Sequence, residues 1–327
     1  MPLSLEYGRL VENVLRESGG EWSPSATFDD GMQILLREVQ LRNRLHREGR
    51  RLLQHEVLRI IRQRLLLDTL VRHTPAMEQR ALRVLLITGM PRTKSTLLHN
   101  LLADVGAFSW VSYAQALEPF PWPRSTADEE RVVARASAHL RVLRKMSPDL
   151  LRIHPMREDR PEECITLMQL TGRSDRFTIS LTVPEYREWA AQPSIAALAY
   201  AEYFQILERI VPLSRPIVLK APTHAPYVNL IEGLSESVRC LWLQRDATEV
   251  DRSFRELVTA CRTVFEADSD TSDWASAWSA LSIPACAEVC AWTQVESVAC
   301  EIAAESRRPA PHPKDYEPWL APRGAVS

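Results

Sequence analysis

Between Arg83 and Gly89 the chain turns abruptly apolar: Val84, Leu85, Leu86 and Ile87 follow one another with no polar break. A short continuous apolar run of this kind marks a strand buried on both faces, as in a parallel sheet. Gly89 and Pro91 interrupt it, and Leu97, Leu98, Leu101 and Leu102 then recur at helical spacing. Two more apolar runs, 216–220 and 238–243, predict further strands. Helical patterns cover 28–75, 126–146, 195–211 and Ala247 to Leu257. In the first of these, apolar positions such as Leu35, Leu36, Val39, Leu53, Val57 and Ile60 alternate with arginines, and Gly49 marks a break between two helices. Acids interspersed among those arginines (Glu38, Glu48, Glu56) read as a solvated face.

Strands alternating with helices predict an α/β fold, a central parallel sheet flanked by helices with an N-terminal helical lead-in. The expected organisation is a helical extension over 1–80 packing on the core, an α/β domain over 81–306, and a Pro-rich irregular tail over 307–327. Residues 76–80 join the lead-in to the first strand. Residues 266–274 are acidic and polar and read as a flexible loop, and 275–306 read as helical.

With 45% apolar and 25% charged residues, 327 residues can bury one large core. The net charge of −2 supplies no global basic field, so nucleic acid is not an expected partner and any anion binding is local. No apolar stretch approaches a membrane span and the first residues have no signal-peptide layout, which predicts a cytoplasmic protein. The six cysteines (164, 240, 261, 286, 290, 300) form no Cys-x-x-Cys pair, and Cys286, Cys290 and Cys300 lack a fourth metal ligand. Reduced thiols and no metal are the expectation.

The chemistry concentrates in Arg92, Thr93, Lys94, Ser95 and Thr96, between the first strand and its helix. A basic loop there adds cationic side chains to the free N–H groups and positive dipole end of a helix N-terminus, a cradle for phosphate or sulfate. The nucleoside-triphosphate form, Gly-x-x-x-x-Gly-Lys-Ser/Thr, fails on two glycines: Thr88 and Thr93 stand at those positions. A kinase or hydrolase reading also lacks a clear acidic partner, since Asp246 reads as a helix cap.

The pattern Gly-x-Pro-Arg-Thr-x-Ser-Thr-Leu-Leu-His (89–99) resembles the 5′-phosphosulfate loop of sulfotransferases that use 3′-phosphoadenosine 5′-phosphosulfate (PAPS). Two other segments are similar to that family: Val218-Leu219-Lys220-Ala221-Pro222-Thr223-His224, and the Pro-Glu-Glu-Cys stretch at 161–164, found in bacterial and polyketide-associated members. The resemblance covers roughly 30–258. The resemblance implies a P-loop-like sheet and in-line transfer of a sulfuryl group to a hydroxyl or amine of a small-molecule or carrier-bound acceptor. It implies that Arg92, Thr93, Lys94, Ser95, Thr96 and Leu97 hold the 5′-phosphosulfate. It further implies that Arg245 at a strand end and Ser253 eight residues later hold the 3′-phosphate of PAPS, or of its product 3′-phosphoadenosine 5′-phosphate (PAP). Arg gives bidentate donation and Ser a hydroxyl. Asp246 and Glu249 form a plausible capping box for the helix between them.

Lys220 is expected to stabilise the transferring group and His224 to take the acceptor's proton, with a core hydrogen bond as the alternative for His224. The family often places a Glu about twenty residues past the loop; this chain has Gln115 there, which cannot accept a proton. His99, and Glu162 with Glu163, read as structural or orienting groups. Lys94 stands where the family usually has Gly, and either strains the backbone or reaches the phosphate. These departures keep open a repurposed member of the fold that binds another ligand. Aromatics in 108–123 and 177–189 read as core or as an acceptor pocket. Oligomeric state is open, a homo-oligomer included.

Overall fold

The computed structural model describes residues 4–74, 82–121, 125–268, 271–274, 282–291 and 293–306. The connector expected at 76–80 and the tail expected at 307–327 lie outside them. Helices α1 (Tyr7–Ser18), α2 (Ala26–Arg42) and α3 (Arg47–His73) come first. Strand β1 (Arg83–Gly89) leads into α4 (Ser95–Val105). Then α5 (Tyr113–Leu117), α6 (Thr126–Met146), α7 (Pro148–Ile153), α8 (Ile165–Met168), α9 (Asp175–Ser180), α10 (Pro184–Ala190) and α11 (Pro193–Ile210) lead to β2 (Ile217–Lys220). The rest is α12 (Val228–Gly233), β3 (Ser237–Gln244), α13 (Ala247–Thr263), β4 (Ala287–Ala291) and α14 (Val295–Glu305).

All the strand pairings are parallel, in the order β2-β1-β3-β4. Side chains of β1 alternate between two cores, as a period of two requires. Leu85 and Ile87 join Leu97, Leu98, Leu101 and Leu102 of α4 and Val295, Ala299 and Ile302 of α14. Val84 and Leu86 face the larger core, which also takes in α1, α2 and α3. Burying each leucine of α4 contributes about 1.5–3 kcal/mol, which fixes α4 rigidly under β1. No described helix is long and apolar enough to cross a membrane.

Three expectations are corrected. The break in the first helical stretch falls at Asn43, which is left-handed (φ 47) and caps α2. Gly49 instead sits in the first turn of α3, where a Cβ would run into the Phe265 carbonyl. Within 275–306 the described residues hold β4 as well as α14. β4 is an edge strand with Cys290 as its one buried residue, so it carries no apolar run to betray it. The loop beginning at 266 is anchored: the buried Glu266 carboxylate accepts from Thr182 N and Oγ1, both at 2.7 Å.

Candidate functional site

Gly89 closes β1 with φ 105, and Met90 N donates to Leu243 O at 2.9 Å. A Cβ on Gly89 would lie 2.6 Å from that same carbonyl, so the turn requires glycine on both counts. Arg92 (φ 64) and Lys94 (φ 58) are also left-handed, a strain of about 1–3 kcal/mol each. Lys94 thus does adopt the conformation that a glycine would take freely. Thr93 between them is fully buried and its hydroxyl donates to Met90 O at 2.8 Å.

α4 begins at Lys94 with no side-chain cap. Leu98 N is bonded to Lys94 O at 3.0 Å, so the amides of Ser95, Thr96 and Leu97 have no acceptor within the helix. The Leu97 side chain is buried among the leucines below the sheet, so only its backbone faces the turn. Unclaimed amides at a helix N-terminus favour an anion. α13 is built the other way: the Asp246 carboxylate accepts from Thr248 N and Glu249 N, both at 3.0 Å.

The loop side chains then meet those of α13. Arg92 Nε donates to Ser253 Oγ at 3.0 Å, and Arg92 Nη2 to Ile153 O at 3.1 Å. Arg245 Nη1 donates to Arg92 O at 3.0 Å, while Arg245 Nε pairs with Glu249 Oε2 at 2.8 Å. Glu249 thus turns to Arg245 rather than completing the expected capping box. Arg92, Arg245 and Ser253 form one cluster. It follows β1 and β3, the strands between which a β2-β1-β3-β4 order switches direction and opens a ligand crevice at the carboxyl edge. Lys94 points elsewhere, with Nζ 4.0 Å from Glu296 Oε1 of α14. Ile153 also lines a groove of about 630 Å³ between α7 and α13. A cavity of about 260 Å³ beside α3 and α11 shares no lining residue with this cluster.

Lys220, at the end of β2, is fully buried. Its Nζ donates to Glu163 Oε1 at 2.8 Å and to Thr96 Oγ1 at 3.2 Å. The segment carrying Glu163 is fixed by one backbone bond and one side-chain bond: Cys164 N donates to Lys220 O at 3.0 Å, and Lys220 N to Cys164 Sγ at 3.3 Å. Beside it Glu162 is buried; burial raises its pKa, but the hydrogen bond and charge of His154 and the charge of Lys220 bring it down to about 2. His99 is buried, with neither ring nitrogen hydrogen-bonded to the described protein, against a cavity of about 10 Å³ shared with Glu162, Glu163 and Tyr203. That volume admits about one water.

His224 is fully buried, with Nδ1 2.6 Å from Tyr200 Oη. Burial, then the charges of Arg173 and Lys220, push its pKa down to about 3. The expectation that it takes a proton from a bound acceptor finds no open path in this geometry, whereas the core hydrogen bond weighed against it is present. Gln115 is committed to the start of α5: its amide oxygen accepts from Ser112 N at 3.0 Å and its N–H donates to Ser112 Oγ at 3.1 Å. Of the aromatics, Tyr113, Phe120, Phe177, Tyr186 and Trp189 are core, and Trp122 lies outside the described residues. The direct contact of Arg92 with Ser253 and the pairing of Lys220 with Glu163 were not legible in the sequence; the strand-end positions of Lys220 and Arg245 were.

The sulfotransferase family model matches residues 85–292, more than half of the chain. Among solved structures, sulfotransferase STF1 from Mycobacterium tuberculosis H37Rv superposes with a TM-score of 0.70 at 16% identity, covering 97% of this chain and 90% of that one. Sulfotransferase STF9 from Mycobacterium avium gives 0.69 at 16% identity, covering 99% and 86%. At such identity the likeness is one of fold. No curated relative matches the sequence.

Proposed function

The chain belongs to the sulfotransferase family, and from that premise we propose that its sulfuryl donor is PAPS and its acceptor a hydroxyl or amine of a small-molecule or carrier-bound substrate. The observation that carries this reading is the meeting of Arg92, Arg245 and Ser253 beside an uncapped helix N-terminus. A nucleotide with phosphates at both ends of its ribose matches two adjoining anion sites better than one triphosphate does.

In this reading the amides of 95–97, Arg92 and the hydroxyls of Ser95 and Thr96 hold the 5′-phosphosulfate. Thr93 shapes the turn from within, and Leu97 contributes only its amide. Lys94 adds positive charge from the α14 side. Arg245 and Ser253 hold the 3′-phosphate. Lys220 neutralises charge as the bond from sulfur to the bridging phosphate oxygen lengthens, a role worth most in a dry site. Positioning the two reactants in line supplies most of the remaining acceleration. The burial of Lys220 keeps water from competing for its N–H groups.

Thermal unfolding with PAP tests the donor. At 100 times its dissociation constant a ligand stabilises by about 2.7 kcal/mol, so PAP should raise Tm by several degrees. ATP with magnesium should not, and Arg245→Ala should remove the PAP shift. Stabilisation by ATP with magnesium alone would overturn the proposal.

A further inference from the structure

The acceptor's proton needs a destination that neither Gln115 nor His224 offers. We infer that Glu163 is the general base of the transfer, held in place by Lys220 and by the backbone of β2. This deepens the proposed PAPS reaction and rests on it.

Lys220 is an ammonium with three N–H donors. One goes to Thr96 in the first turn of the uncapped helix and one to Glu163, leaving the third for the donor's sulfuryl or phosphate oxygens. Because Lys220 also bonds Thr96 of that helix, a carboxylate bonded to Lys220 sits beside the proposed place of the sulfuryl group, and Glu163 is that carboxylate. Its side chain is 16% exposed, where Lys220 is 1%, so it faces the open side of the pair. Lys220 uses only Oε1; Oε2 receives no hydrogen bond from the described residues. The neighbouring Glu162 is excluded by burial and by its bonds to His154 and to the Glu163 amide. Cys164 pairs through its backbone with Lys220, so Glu163 keeps its place even when Lys220 turns toward the donor.

The acceptor oxygen forms a bond to sulfur with its lone pair. The bond from sulfur to the bridging phosphate oxygen breaks, and its electron pair leaves on PAP. The acceptor's O–H proton passes to Glu163 Oε2, making a neutral carboxylic acid, which later releases the proton to solvent. Lys220 stays protonated and moves from Glu163, as that carboxylate is neutralised, toward the new charge on PAP.

Two readouts of opposite sign test the assignment, with PAP and PAPS as the probes. Glu163→Gln keeps an oxygen for Lys220 but removes the negative charge beside the phosphates. PAP should then bind the variant more tightly, by about 3- to 10-fold in calorimetry. Turnover of PAPS with water as the acceptor, followed as PAP release, should fall about 10²- to 10⁴-fold. Glu163→Asp, which keeps the carboxylate, should recover part of the rate. A carboxylate that only supports the fold would weaken PAP binding and turnover together in Glu163→Gln, and that result overturns the inference. So does a Gln variant that turns over PAPS within about 3-fold of the parent. Failure of the parent protein itself to bind PAP would instead sink the donor assignment on which this rests.

Discussion

Two turns flank the switch point of the sheet, and they treat their helices in opposite ways. After β3, Asp246 puts its own carboxylate on the amides of Thr248 and Glu249, so α13 is complete without a ligand. After β1, the chain passes through two left-handed non-glycine residues and starts α4 with no side chain on its amides. A satisfied helix end stabilises the fold; an unsatisfied one at a strained turn is where an anion adds most. α13 contributes Arg245 from its approach and Ser253 from its body, while α4 contributes its backbone. On the proposed reading, the reacting phosphosulfate belongs to the β1 side and the anchoring phosphate to the β3 side.

The largest effect should come from the hinge of that turn. Gly89→Ala sets a Cβ against the Leu243 carbonyl and forces a left-handed alanine, so urea unfolding should show a loss of about 3 kcal/mol, and PAP binding should fall with it. Next is Arg92→Ala, which removes charge-assisted bonds and should weaken PAP by about 10- to 100-fold while Tm without ligand changes little. A smaller effect separates the helices by pH. α4 carries a buried imidazole, His99, whose pKa is pushed down to about 3 by burial and then by Lys220. Because the unfolded chain binds that proton near pH 6.5 and the folded one does not, stability is full above pH 6.5 and falls as pH is lowered toward 3. Between pH 7 and 5, His99→Leu should remove about 1–2 kcal/mol of this loss in urea titrations; His224 remains and keeps part of the slope. The smallest is Asp246→Ala, which should cost about 1 kcal/mol through α13 and leave PAP affinity nearly unchanged.

The same contrast explains what the sequence disclosed. β1 and β3 were legible because both faces of each strand are covered, so their apolar runs are unbroken. α6 was legible end to end because Ser125 caps it and accepts from Asp128 N. Arg92, Lys220 and Arg245 were legible as candidates because each stands at or just past the carboxyl end of a strand. β4 was not, since one buried residue at a sheet edge makes no period. Nor was the break at Asn43, where an asparagine took the left-handed position that glycine usually signals. The pairing of Glu163 with Lys220 joins residues 57 positions apart and leaves no local pattern. A histidine after a strand at the ligand edge has the same sequence context whether its ring faces a substrate or Tyr200, so the sequence left both roles open for His224.

Hydrogen exchange read by peptide mass tests the central contrast most directly. Adding PAP should slow exchange across 92–98, where the amides of Ser95, Thr96 and Leu97 gain an acceptor, and leave 247–250 as it was. Protection confined to 247–250, or none in either segment at saturating PAP, would contradict the account.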